Sequence, residues 1–417
     1  MANDVVDTRV GCTTDVYLLK FGIALSLSLS LPLSLSPSLS LSLLSLAMTS
    51  SLTCASILIV VVAVFVSLYQ SIQSSLEPSY LPWHDTPQWE RLLRIYDIVA
   101  TKDLSDCSSR YVATDYGETH VFLCGNNNDH DNSGDENDEN NNNDPTTTNT
   151  NPPVVFLHQA GYNALQYSDW IVPQLRNSHY CILIDMPCDT GRSLPPNGDP
   201  EQCPQTKEAL VEWMEQVLTN VLPPATETQQ QQQKVSFVGY SYGVFVAVTM
   251  ALMRPSMVDK MVWIAPSGVI APCGLSTMVR AVVYALIKNE WMQNNFYRYM
   301  SAEGDAFSLD NLSPNLREMT HAIREVDGTL LGVYDPDFLS DEQLRGLSES
   351  TLLLVGQHEV LLDPTYATER ANQAGMQAKL YPDGGQLMFM ETPKAAIAND
   401  VKEFLTTATV STAHIHD

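Results

Sequence analysis

Five short apolar runs constrain this chain most: PVVFLHQ (153–159), CILIDM (181–186), VSFVGY (235–240), KMVWIAP (260–266) and TLLLVGQ (351–357). Each is nearly unbroken rather than alternating, the pattern of strands buried on both faces of a parallel sheet. Helix-like segments punctuate them: Thr206–Val221, Val244–Met253 and Pro393–Leu405. Ahead of them, SRYVAT and THVFLCG flank DYGE and read as a β-hairpin. Strand–helix alternation behind an antiparallel start predicts an α/β fold, a mostly parallel central sheet with flanking helices, in one domain over about 95–410. Residues 272–348 break the rhythm with VRAVVYALIKNEWMQNNFYRYM and read as an inserted helical cap.

The N-terminal region reads differently. Residues 21–76 carry no charged side chain, and Leu52–Tyr69 is an 18-residue apolar run, about the minimum for crossing a bilayer core. This predicts a transmembrane signal anchor. Arg9 and Lys20 precede it and no Lys or Arg follows until Arg91. The positive-inside rule then places the folded domain on the lumenal or extracellular side. Residues 1–51 are a low-complexity Leu/Ser-rich segment of the kind a translated CT repeat yields, with Met48 an alternative start. Residues 70–94 read as a juxtamembrane linker and 411–417 as a tail.

A formal charge of −26 argues against a nucleic acid as partner. Seven of the 48 acids fall in 125–151, an Asn/Asp-rich segment with no Lys or Arg. That composition cannot bury enough apolar surface to order itself, so a disordered insertion is expected; Gln229–Gln233 is a smaller low-complexity insert. Six of the eight cysteines lie beyond the apolar run, an even count compatible with an oxidising compartment. Cys107 and Cys124 flank the hairpin and should lie opposite each other, within reach of a disulfide. Cys188 and Cys203 can similarly close the loop after the fourth strand. No CxxC or His-Cys cluster is present, so no metal and no cofactor are expected.

The sharpest motif is GYSYG, residues 239–243, between an apolar β-rich run and an apolar helix. A nucleophile elbow requires that context. Gly239 and Gly243 permit the tight turn, Ser241 is the candidate nucleophile, and the Tyr242 N–H at the helix start is a candidate oxyanion donor. LHQAGYNA (157–164) supplies the second donor, the Ala160 N–H, while His158 at the strand end reads as a loop-orienting residue.

The order LHQAG, LIDMPCDTGRS, VGYSYG, LLLVGQHEVLLDP, GGQLMFMETP resembles the α/β-hydrolase superfamily (AB hydrolase-1 type), most of all its bacterial-type carboxylesterases, over about 153–406 apart from the cap. The resemblance implies an α/β-hydrolase fold and a triad acid at Glu359, with Asp363 as runner-up. It also implies a histidine after a small residue before Glu-x-Pro. Here Gly385 is followed by Gln386, and Cys188 stands where the family usually has Gly.

Serine needs an adjacent base to give up its proton, and an amide cannot take that proton. Two readings therefore compete. One is a membrane-anchored, catalytically impaired binding or interaction scaffold, whose protein partner is unnamed by the sequence. The other is an active ester hydrolase on an apolar acyl substrate, with a surrogate base among His358, His321, His414 and His416. In both, a small apolar ester or ligand occupies a pocket beneath the cap.

Overall fold

The computed structural model describes residues 86–125, 151–199, 202–222, 233–274, 277, 280, 290–326 and 338–407. The described chain opens with helix α1 (Pro87–Asp103), which begins in the stretch read from sequence as linker (70–94) and runs on into the expected domain. Thr86 caps it by accepting from the Trp89 N–H, Pro87 takes the first turn, and Trp89, Leu92, Tyr96 and Val99 form one buried stripe at helical spacing.

The hairpin β1 (Ser108–Thr114) and β2 (Gly117–Cys124) follows, then β3 (Pro153–Leu157), β4 (Tyr180–Ile184), α2 (Lys207–Val221), β5 (Val235–Tyr240), α3 (Tyr242–Met253) and β6 (Val258–Ile264). Helices α4 (Glu290–Met300), α5 (Pro314–Glu325) and α6 (Asp341–Ser348) precede β7 (Thr351–Gly356). The described chain ends with α7 (Pro364–Gln373), β8 (Gln377–Tyr381) and α8 (Lys394–Thr406).

The eight strands form one sheet in the order β1-β2-β4-β3-β5-β6-β7-β8. Only β2 runs against its neighbours, β1 and β4. Both faces are covered: Val155 and Leu157 of β3 enter one apolar cluster with α2 and α3, while Val154 and Phe156 enter another with α1 and α8. This explains the unbroken apolar runs.

Within the interval read as a cap, α5 lies on α1, where Arg91 bonds to Glu325 and lies 3.3 Å from Glu318. Helix α6 instead buries Leu344 in the cluster around α2 and α3. The ends of the acidic insertion meet, with Asn151 Nδ2 donating to the Gly125 carbonyl at 3.2 Å; residues 126–150 lie outside the described residues. So do the Leu/Ser-rich segment, the apolar run Leu52–Tyr69, residues 229–232 of the Gln insert, and His414 and His416. Among the described residues, no helix is long and apolar enough to cross a membrane.

Cys107 is disulfide-bonded to Cys124, with Cα atoms 4.4 Å apart, and Cys188 to Cys203, at 6.3 Å. The first pair continues the hairpin register beyond Ser108↔Leu123.

Candidate active site

Ser241 sits between β5 and α3 with φ 50° and ψ −110°, a conformation L-residues rarely adopt and one found at functional turns. The turn holds because the Ser241 N–H donates to the Ile264 carbonyl at 2.9 Å. A Cβ at Gly239 would lie 2.6 Å from the Gly243 backbone, and one at Gly243 would overlap the Leu157 carbonyl. The two glycines therefore let α3 start directly against β3. Val244, larger than the small residue often found there, is fully buried in the core.

The loop after β3 is held from several sides. His158 is fully buried, its Nδ1 bonded to the Gln159 carbonyl at 2.8 Å and its Nε2 accepting from the Met186 N–H at 3.0 Å. Burial pushes its pKa down to about 4, so it is a neutral brace. Gln159 N–H donates to Gln166 Oε1 at 2.8 Å and Gly161 N–H to Asp189 at 3.0 Å. Those loop bonds do not use the intervening Ala160 N–H. Cys188 lies in the left-handed region, φ 64°, which explains why glycine suits that position.

Gln386 is buried beside Ser241. Its N–H donates to the Met300 carbonyl at 2.9 Å, and its carbonyl accepts from the Tyr240 hydroxyl at 2.6 Å. Its partners fix the amide orientation. Nε2 donates to Glu359 Oε1 and Oε2 at 2.8 and 2.7 Å, and Oε1 accepts from Ser241 Oγ at 3.3 Å. Serine, amide and carboxylate thus form one line.

Glu359 is 6% exposed, and its Oε1 accepts the Val360 and Leu361 N–H groups at 2.8 Å. Burial raises its pKa to about 7, against the pull of the Leu361 and Val360 N–H groups, and Glu391 adds to the rise. Asp363 is elsewhere: exposed, it caps α7 by accepting from the Thr365 and Tyr366 N–H groups at 2.9 and 3.1 Å.

The sequence reading overlooked Glu391. Its carboxylate accepts from the Gly385 and Ala302 N–H groups, both at 2.7 Å, and so ties the loop carrying Gln386 to the segment after α4. Its signal was present in the Glu-x-Pro that follows the site loop.

The family model described as "Alpha/beta hydrolase family" matches residues 154–400, more than half of the chain. The chain belongs to the alpha/beta hydrolase family. It is similar to an uncharacterized carboxylesterase, nap, of Bacillus subtilis, at 22% identity over 309 residues that cover 69% of this chain and 83% of that protein. Carboxylesterase YbfK of the same organism is 22% identical over 294 residues, 68% of this chain and 83% of the relative. The solved naproxen esterase (carboxylesterase NP) of Bacillus subtilis has a TM-score of 0.60 at 21% identity, over 77% of this chain and 99% of that one. At such identity the structural likeness carries the fold alone.

In this α/β hydrolase a cleft of about 940 Å³ opens beside the site, its lining including Trp291, Phe296 and Tyr299 together with His358, Glu359 and Val360. Trp291 is 70% exposed. His321 lines a separate small cavity with Glu290 and Phe307. Among the described residues, no histidine hydrogen-bonds to Ser241, and no group of three or more His, Cys, Asp or Glu side chains could hold a metal.

Proposed function

We propose that this carboxylesterase-like α/β hydrolase is catalytically impaired and serves as a binding or interaction scaffold. The Gln386 amide, between Ser241 and Glu359, carries this reading. An amide oxygen accepts the serine hydrogen bond but has no basicity near neutral pH, so Ser241 keeps its proton. Losing a triad member costs on the order of 10⁴–10⁶ in kcat, while the oxyanion hole and binding alone leave ~10³–10⁴ over water. In this assignment Ser241 is the nucleophile position, Glu359 the acid, and Ala160 and Tyr242 the oxyanion donors.

The aromatic residues lining the cleft support a small apolar ester or ligand as occupant. We further propose that Leu52–Tyr69 anchors the chain in a membrane with the domain on the lumenal or extracellular side; the two disulfides are in keeping with an oxidising compartment.

The deciding measurement is steady-state hydrolysis of short p-nitrophenyl esters by the full chain. The expected result is turnover at least ~10²-fold below that of the Gln386→His variant if both fold. Ordinary esterase rates from the unmodified chain, lost in Ser241→Ala, would instead establish a surrogate base.

A further inference from the structure

Ser109, His120 and Asp185 meet on the β1–β2 hairpin, apart from the residues around Ser241. In the antiparallel register Ser109 faces Phe122 and Tyr111 faces His120, which makes Ser109 and His120 diagonal neighbours on one side of the sheet. Ser109 Oγ lies 2.8 Å from His120 Nε2, and His120 Nδ1 lies 2.9 Å from Asp185 Oδ2.

Asp185 fixes the direction of these bonds. Its Oδ2 also accepts the Tyr96 hydroxyl at 2.7 Å and the Arg192 N–H at 2.9 Å, and its Oδ1 accepts the Ala164 N–H at 2.8 Å. Burial pushes this carboxyl up, but the hydrogen bond it accepts from His120, the charge His120 carries when protonated, and the Ala164 and Arg192 N–H groups outweigh it and hold the pKa at about 2. A carboxylate so placed only accepts. In the neutral imidazole, therefore, Nδ1 carries the proton, Nε2 is the acceptor, and the Ser109 hydroxyl donates to it.

His120 and Asp185 are buried, at 1% and 0% exposure, while Ser109 is exposed. Tyr111, 47% exposed, has its ring centroid 5.1 Å from the imidazole. It lies on the same face two residues along the strand from Ser109, hydrogen-bonded to Arg192, and puts a half-exposed aromatic ring beside the hydroxyl.

We propose that Ser109 is a second nucleophile in this chain, activated by His120 and Asp185, and a site of covalent acylation by aryl esters of small carboxylic acids. Ser109 Oγ attacks the ester carbonyl carbon and its proton passes to His120 Nε2. The carbon–oxygen bond to the aryl group then breaks, and the imidazolium returns the proton to the departing phenolate. The products are acylated Ser109 and a free phenol. Strand N–H groups lie in the plane of the sheet rather than on its side-chain face, so they do not reach the tetrahedral oxyanion. Acylation tolerates that lack because a phenolate leaves readily. Hydrolysis of the alkyl ester formed on Ser109 must instead expel a poor leaving group unaided, so the acyl group stays and the reaction stops at one equivalent per chain.

The test uses the full-length Ser241→Ala chain with p-nitrophenyl acetate, read as p-nitrophenol released and as acetylated peptides by mass spectrometry. The expected result is a burst of one equivalent, with the acetyl group on Ser109. That residue should react at least ~10²-fold faster than the exposed helix-capping Ser340 of the same molecules, the lower end of general-base assistance. Adding Ser109→Ala should abolish the burst without changing the thermal melt, and adding His120→Gln should slow it by the same ~10²-fold. Ser109 acetylated no faster than Ser340 would overturn the proposal even if His120→Gln fails to fold, leaving the three residues a structural clamp.

Discussion

Nε2 of Gln386 donates to the Glu359 carboxylate across 2.7 and 2.8 Å, the bond a triad histidine makes through Nδ1. The acid is oriented, the serine is presented, and an amide joins them. What the line lacks is a group that changes protonation between its two ends.

Gln386→His should therefore raise ester hydrolysis by at least ~10²-fold. Gln and His are similar in size, so overpacking should be slight, and the backbone bonds to Met300 and Tyr240 are indifferent to the side chain. The check is kcat/KM on p-nitrophenyl acetate beside a matched thermal melt. A folded variant with no gain would mean that the site has lost more than its base.

The acid can be tested in that same background. Glu359→Gln should remove most of the activity gained by Gln386→His, because the imidazole loses its orienting carboxylate. Asp363→Ala should leave that activity intact and cost about 1 kcal/mol of stability, the usual value of a helix N-cap. The opposite pattern would hand the role to Asp363.

Glu359 also predicts a pH dependence of stability. Its folded pKa is pushed up to about 7, whereas an unfolded glutamate titrates near 4.3. Between those values the folded state holds a proton that the unfolded state has released, so this contribution is present at low pH and lost as pH rises toward 7. The full effect is roughly 4 kcal/mol at most, reduced by the Gln386 amide, which favours the ionised form. Urea unfolding at pH 5 and pH 8 should show Glu359→Gln gaining on the unmodified chain at the higher pH. An equal difference at both pH values would remove Glu359 as the cause.

The parts of this fold legible in the sequence were those with local signals. Strands β3 to β7 announced themselves because burial on both faces leaves few polar positions. The elbow did so because Gly239 and Gly243 must admit a neighbouring backbone. Strand β8 went unread because Gln377–Tyr381 is an edge strand with most of its side chains exposed. Helix α1 went unread too, although Thr86, Pro87 and the spacing of Trp89, Leu92, Tyr96 and Val99 were sufficient signals. Ser109, His120 and Asp185 had no such signal, since three separate elements bring them together. Gln386 was placed by resemblance, and only the fold shows its amide between two particular partners.

The thiols give a chemical check on the hairpin. Among the six cysteines of the described residues, alkylation in denaturant without reductant should modify Cys181 and Cys273 and spare Cys107, Cys124, Cys188 and Cys203. Peptide mapping by mass spectrometry reads this directly. Replacing Cys107 and Cys124 with Ser, a pair 17 residues apart, should cost ~3 kcal/mol. Alkylation of all six without reductant would dispose of both bridges.

The last prediction concerns strain at Ser241. Its φ of 50° with ψ −110° costs an L-residue on the order of 1–3 kcal/mol, which the surrounding structure must offset. Glycine adopts that conformation freely but loses ~0.5–1 kcal/mol through its greater freedom when unfolded. Ser241→Ala keeps the strained Cβ and removes only a hydroxyl whose bond to Gln386 is long, at 3.3 Å. Ser241→Gly should then be more stable than Ser241→Ala by about 1 kcal/mol in urea unfolding at one pH. Such a result would mean that the chain holds Ser241 in a destabilising, catalytically shaped turn beside an amide. Equal or lower stability for the glycine variant would mean that the elbow is relaxed in this protein, and its shape would then no longer indicate that Ser241 is held ready for attack.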